Sequence, residues 1–297
     1  MKNKLIVFCV LLIFTAIYSS HLISKSDCKK YEFTGNSLEI LTNKFEKFNK
    51  NDDSEFGTLI VEIGKTFLGT PYKGGTLEGE PEICRINVEG LDCVTFFETS
   101  LNIARIVYLS EPIVEKLPEY IIQTRYIDGV IENYASRLHY TSDWIYQNVN
   151  NKIIEDITKS IGGEQFKFHL NFMSKNPKYY TALQNHPELI DLIKKQEEEI
   201  NKRIYFLLSK EKVKSIEKYL KSGDIIAIVG EKRDLDYEHT GLIYVNKEGE
   251  VHFMHASSDK KKVIIDTTLS EYLQKIRKFS AISVLRPLAP QKMKEYE

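Results

Sequence analysis

Three short segments late in the chain, GDIIAIV from Gly223, HTGLIYV from His239 and EVHFMHAS from Glu250, are rich in β-branched residues and bounded by turn residues. That is the pattern of neighbouring antiparallel strands. The chain before them has a different period. Phe56 to Leu68 carries Leu59, Ile63 and Phe67 at helical spacing and stops at Gly69 and Pro71. EGLDCVTFFETSLNIARI, Glu89 to Ile106, begins a run in which Val94, Phe97, Leu101, Ala104 and Tyr108 recur at steps of three and four, the stripe of a helix packed on a core. Phe166 to Leu220 also reads as helical, with LIDLIKKQEEEINKRIYFLL placing apolar residues on one face and a solvated mixture of charges on the other. A helical front and a stranded back restrict the fold to the α+β class.

Cys93 stands at the first turn of the second helix. Backbone N–H groups there lack intrahelical partners and carry partial positive charge, which favours the nucleophilic thiolate. A buried, inert cysteine would also satisfy the position. The strands supply two histidines that bear on the choice. NKEG separates HTGLIYV from EVHFMHAS, and a three-residue loop Lys247–Glu248–Gly249 with Gly249 left-handed puts His239 and His255 on one face. An even-numbered loop would put them on opposite faces. His252 alternates out of that pair. A thiol at a helix start, a histidine opening a strand and a second polar residue on the next strand form the parts of a nucleophile, its base and an orienter.

At 297 residues the chain has ample length for a buried core, and 41 Lys plus Arg against 42 Asp plus Glu give no field that selects nucleic acid. No Cys/His spacing suits zinc, and the glycine-rich GTPYKGGTLEG lacks phosphate-loop spacing. Met1 to Ser20 reads as a secretory signal: two lysines precede an uncharged apolar run from Leu5 to Tyr18, although Ser19–Ser20 is a poor cleavage site and an uncleaved anchor remains the alternative. Outside that segment lie Cys28, Cys84 and Cys93; a Cys28–Cys84 disulfide is the pairing that would spare Cys93. Residues 21–54 read as a polar tail.

LGTPYKGG, LDCVTF, HTGLIY and MHASS together resemble the NlpC-type papain-like cysteine hydrolases of bacterial cell walls. RYIDG, YASRLHYTSDWI, SGDIIAI and MHASSDKKKV are similar to one subfamily, the N-acetylmuramoyl-L-alanine amidases formerly catalogued as a domain of unknown function. The resemblance runs from about Leu59 to Arg286. One departure is Val94-Thr95, where the broader family has a small residue after the cysteine.

The resemblance implies a papain-like α+β domain over residues 55–297, its nucleophile at the N-terminus of a central helix packed on an antiparallel sheet, with a helical insertion at 166–220. Carried over residue by residue, Cys93 is the nucleophile, His239 its base, His255 the orienter, and Tyr72 a contact to the scissile group. The Cys93 N–H and the Tyr72 hydroxyl would form an oxyanion hole, each such donor worth about 3 kcal/mol. Arg125, Asp128, Arg137, His139, Tyr140 and Trp144 are candidate substrate contacts, with an arginine clamping a stem-peptide carboxylate and Trp144 against a sugar. The same six also suit an ion-pair and packing cluster. The implied reaction cleaves the amide between the lactyl group of N-acetylmuramic acid and L-alanine in peptidoglycan fragments, without metal or cofactor. The alternatives are a D,L-endopeptidase and an inactive wall-binding module. The expected setting is a monomer exported to the periplasm or cell envelope, touching membrane only through an N-terminal anchor.

Overall fold

A strand in which every side chain is apolar has to be covered on both faces, and Ile225–Val229, IIAIV, is buried throughout. In the computed structural model, which describes residues 29–48, 55–109, 112–232 and 234–291, it lies inside an antiparallel sheet. In chain order the strands are β1 (Tyr31–Phe33), β2 (Cys84–Ile86), β3 (Ile154–Asp156), β4 (Glu164–Phe166), β5 (Tyr205–Ser209), β6 (Ile225–Val229), β7 (Tyr237–Val245), β8 (Val251–Ser257), β9 (Lys262–Thr268) and β10 (Ala281–Pro287). The main sheet runs β4-β5-β10-β6-β7-β8-β9, with β3 also paired to β10. The α+β reading therefore holds.

The two faces of β6 lead into two cores. Ile225, Ala227 and Val229 join Leu242 and Met254 against the helices Phe56–Lys65 and Cys93–Tyr108. Ile226 and Ile228 join Ile243 and Phe253 under the helix Leu269–Lys275. The Cys93 helix is buried from Thr95 to Val107, which anchors it against the sheet and leaves its first residue, Cys93, only partly covered.

The β7–β8 hairpin has the register expected from NKEG. Val245 pairs with Val251 and Leu242 with Met254, Asn246 N–H donates to Glu250 O at 3.0 Å, and Gly249 takes φ +83°. The loop is the three-residue type, with glycine at the left-handed position.

Two boundaries differ from the sequence reading. Within the expected polar tail, 21–54, β1 pairs with β2 and the helix Ser37–Phe45 buries Leu41 and Phe45 in the first core. The polar composition there belongs to the outer face, while residues four apart point inward. The 166–220 segment is not wholly helical either. Its helix Ile190–Lys202 ends before β5, in which Leu207 enters one core and Leu208 the other. Consecutive apolar residues need cover on opposite sides, which a strand between two layers provides and a surface helix does not. Among the described residues no helix is long and apolar enough to cross a membrane. The Met1–Ser20 signal, Cys9 and Cys28 lie outside the described residues, and Cys84 is a buried free thiol.

Candidate active site

Asp92 places Cys93. Its Oδ1 accepts from Thr95 N–H at 2.8 Å while Thr95 Oγ1 accepts from Asp92 N–H at 2.9 Å, a reciprocal cap that starts the helix at the cysteine. The Tyr72 loop is stitched to the same point. Leu91 N–H donates to Pro71 O at 2.9 Å, and Tyr72 N–H donates to Lys261 O at 2.8 Å, so the loop bridges the helix start and the beginning of β9. Burial raises the Tyr72 phenol pKa, and a neighbouring Cys93 thiolate and Asp92 raise it further.

The histidines meet as the hairpin register requires. His239 Nε2 lies 2.7 Å from His255 Nδ1. Rings enclose the pair: Phe253 stacks 4.7 Å from His255, Tyr272 lies 5.0 Å from His255, and Phe279 is parallel to His239 at 6.4 Å. Gly241 makes that packing possible, since a Cβ there would stand 2.6 Å from the Phe253 ring and 2.8 Å from Met254 O. Its conformation is ordinary; close approach is the reason for the glycine.

Alternation along β7 turns Thr240, like Leu242, toward the Cys93 helix and His239 toward Tyr272. Cys93 lies against Thr240, while burial first, then Asp266 and Cys93, raises the Tyr272 phenol pKa. The cysteine keeps part of its surface exposed, but its sulfur is crowded. Burial first, then Asp92, pushes the thiol up to about 11 against the opposing pull of the Thr240 N–H and hydroxyl. The hydroxyl faces the sulfur from beyond bonding distance, since Thr240 Oγ1 is a buried atom with no hydrogen-bond partner. Burial pushes His239 down to about 3 and His255 down to about 4, with Asp266 opposing the latter. These directions favour a neutral Cys93 thiol and neutral imidazoles at His239 and His255 at rest. A pre-ionised Cys93, the expectation from its helix position, is outweighed by desolvation.

The six candidate substrate contacts form a different structure. Arg125 is buried, with Nε and Nη2 on Glu98 Oε2 at 2.9 and 2.7 Å and Nη1 on Arg85 O at 2.8 Å. Arg137 grips Glu82 through Nε and Nη2 at 3.0 and 2.7 Å and Glu78 through Nη1 at 2.8 Å. Neither guanidinium is left over for a stem carboxylate. Tyr140 donates to Glu197 at 2.7 Å, His139 Nε2 contacts Tyr134 O at 2.8 Å, and Asp128 accepts from Gln147 at 2.9 Å. Trp144 is buried edge-on against Phe97, with centroids 5.1 Å apart. Arg125 and Arg137 thus sit in ion pairs and Trp144 in packing, whereas Asp128 is exposed.

A cavity of about 520 Å³ opens over the histidines, lined by Glu238, His239, His255, Asp266, Tyr272 and Lys278 among others. A larger one of about 860 Å³, with Phe166, Phe168, Gly230 and Ser280 in its wall, adjoins it: Gly230 packs on Glu238, which pairs with Lys278 at 2.7 Å. Its size does not make it the reactive centre, since the histidine pair lines only the smaller one. Asp266, which lines the smaller cavity, escaped the sequence reading. The available signal was one acid inside the apolar, β-branched run KVIIDTT. Among the described residues, no three His, Cys, Asp or Glu side chains converge as a metal-ligand set.

The family model described as AmiA-like, N-acetylmuramoyl-L-alanine amidase-like, matches residues 62–281. Among solved structures, an N-acetylmuramoyl-L-alanine amidase from Bacteroides uniformis is 32% identical, with 79% of this chain and 99% of that chain covered at a TM-score of 0.74. A Bacteroides fragilis protein provisionally called a xylanase is 35% identical, with 76% and 99% covered at a TM-score of 0.70. A Legionella pneumophila protein at 21% identity, covering 86% of this chain and 96% of its own at a TM-score of 0.64, shares the fold. No curated protein matches the chain.

Proposed function

Because the chain belongs to the AmiA-like, N-acetylmuramoyl-L-alanine amidase-like family, we propose that it is a cysteine hydrolase cutting the amide between the lactyl group of N-acetylmuramic acid and L-alanine in peptidoglycan fragments. The observation that carries the reading is the 2.7 Å His239–His255 contact on the strand whose next residue, Thr240, faces the Cys93 thiol. The helix-borne thiol and paired histidines support an NlpC-type papain-like arrangement. Glycoside cleavage commonly uses two carboxyl groups flanking the bond. Of the acids at the histidine cavity, Glu238 is already tied to Lys278, which favours the amidase reading over the name given to the Bacteroides fragilis relative.

Burial disfavours a thiolate or an imidazolium alone. Moving the proton from Cys93 to His239 makes both ions together and leaves the net charge unchanged, so each stabilises the other. The sulfur then attacks the lactyl carbonyl, and the Cys93 N–H with the Tyr72 hydroxyl steadies the oxyanion. As the C–N bond breaks, the imidazolium gives its proton to the L-alanine amine and a thioester remains. His239 takes a proton from water, the hydroxide displaces the sulfur, and the lactyl carboxylate leaves as the thiol is restored.

The cavity over the histidines lies in the range of small-ligand sites, which suits disaccharide-peptides rather than cross-linked wall. Work on such fragments in the cell envelope fits the signal-like N-terminus. The test digests a defined disaccharide-peptide and identifies both products by mass spectrometry. Free disaccharide plus an intact peptide is expected. A sugar still carrying L-Ala-D-Glu would replace the reading by the endopeptidase, and binding without cleavage would replace it by a wall-binding module.

A further inference from the structure

We infer that Asp266 is a positioning residue that selects the tautomer of His255 and thereby decides which nitrogen of His239 receives the Cys93 proton. The inference rests on the cysteine-hydrolase reading and adds a residue to it. His255 Nε2 is a buried nitrogen with no hydrogen-bond partner, on a residue 1% exposed. The nearest carboxylate oxygen, Asp266 Oδ2, stands 3.6 Å away, just beyond bonding distance. An orphaned polar atom at that depth is costly, and a small rotation of Asp266 would satisfy it.

Backbone geometry aims the carboxylate at this atom. His255 pairs with Ile264, and Asp266, two residues farther along β9, returns to the same face. A register shift between His252 and Met254 adds a residue to β9 beside Asp266, the kind of irregularity that re-aims a side chain. Thr267 N–H holds the other oxygen, Oδ1, at 2.7 Å, so the carboxylate is oriented from its own strand.

The tautomers then follow in order. A carboxylate only accepts, so His255 carries its proton on Nε2 and presents Nδ1 as an acceptor. The 2.7 Å contact requires a donor at His239 Nε2. His239 is therefore the Nε2–H tautomer, and its remaining lone pair, on Nδ1, is the base for Cys93. With His255 in the other tautomer, His239 Nε2 would have to accept, Nδ1 would carry hydrogen, and the base would be blocked. Around the cavity that holds His255 the other titratable or charged groups are Glu238, His239, Tyr272, Asp259, Lys260, Lys275 and Lys278, with Glu238 paired to Lys278. Among them Asp266 is the one paired with Nε2.

The experiment compares the wild-type protein with Asp266→Ala and Asp266→Asn by ¹⁵N NMR of the histidine rings at neutral pH and by kinetics on a disaccharide-peptide. In wild type His255 is expected as Nε2–H. Asp266→Ala is expected to populate the Nδ1–H form and lower kcat about 10–100-fold with KM within about two-fold. Asp266→Asn keeps an acceptor oxygen and is expected to restore the tautomer and part of kcat. An unchanged His255 tautomer in the alanine variant overturns the inference, whatever happens to kcat. If wild type does not cleave the substrate, the amidase reading falls, while the NMR comparison still decides the role of Asp266.

Discussion

Nε2 of His239 and Nδ1 of His255 approach to 2.7 Å inside a cage of aromatic rings, and burial pushes the two imidazoles down to about 3 and about 4. An unfolded histidine titrates near 6.5. Between the folded and unfolded values the unfolded chain holds more protons, so stability rises with pH there. This contribution is complete above about 6.5 and is lost as pH falls toward 4 and below. Urea unfolding across that window is expected to show a shallower pH slope for His255→Gln than for wild type. Equal slopes would mean that His255 is not held neutral by the fold.

Cys93→Ala is expected to abolish turnover and to change unfolding free energy by no more than about 1 kcal/mol. The Asp92–Thr95 cap does not use the sulfur. Residual hydrolysis at more than trace level would remove Cys93 as nucleophile.

Alkylation of Cys93 by iodoacetamide, resolved from Cys84 by peptide mass spectrometry, is expected to be slow at pH 6 and to accelerate through pH 9, because burial pushes the thiol up to about 11. Thr240→Val should slow it further, since it removes the hydroxyl that favours the thiolate while the backbone N–H remains. The same change removes an unpartnered buried hydroxyl and is expected to stabilise the fold by about 1 kcal/mol. Fast labelling at pH 6 would show a resting thiolate–imidazolium pair instead.

Arg125→Ala leaves Glu98 as an uncompensated buried charge and is expected to cost about 3–5 kcal/mol of stability. Removing both charges with Glu98→Gln and Arg125→Met should recover much of the loss. Were Arg125 a stem clamp, the single variant would raise KM with little change in urea midpoint.

Gly241→Ala places a methyl group 2.6 Å from Phe253, the ring stacked on His255. A cost of about 1–3 kcal/mol from overpacking is expected, together with a fall in kcat as the His255 ring shifts. Unaltered kcat in the folded variant would show that Phe253 does not hold the pair.

Local features of the sequence carried much of this structure. The spacing after Asp92 announced the central helix, and NKEG announced a loop whose parity put His239 and His255 on one face. The motifs around Cys93, His239 and His255 pointed to the amidase-like family that the family model matches. What the sequence reading missed lies at long range. Glu98 and Glu82 stand 27 and 55 residues from the arginines they pair with, so read along the chain Arg125 and Arg137 suit an ion-pair cluster or a substrate clamp equally. Leu41 and Phe45 looked like part of a polar tail because their apolar partners come from distant segments.

Period, capping and turn parity depend on neighbours within a few residues, and the sequence by itself determined them here: the helix beginning at Cys93, the alternating strands and the shared face of the two histidines. Charge state and pairing depend on what surrounds a group in three dimensions. Only the tertiary structure placed Asp266 behind His255 and set Thr240 against the thiol. It also buried Cys93 Sγ deeply enough for desolvation to outweigh the helix N-terminus. The reason is the range of the forces involved: hydrogen bonds that shape local structure are closed within one turn, whereas the penalty for a buried ion is set by every atom that displaces water around it.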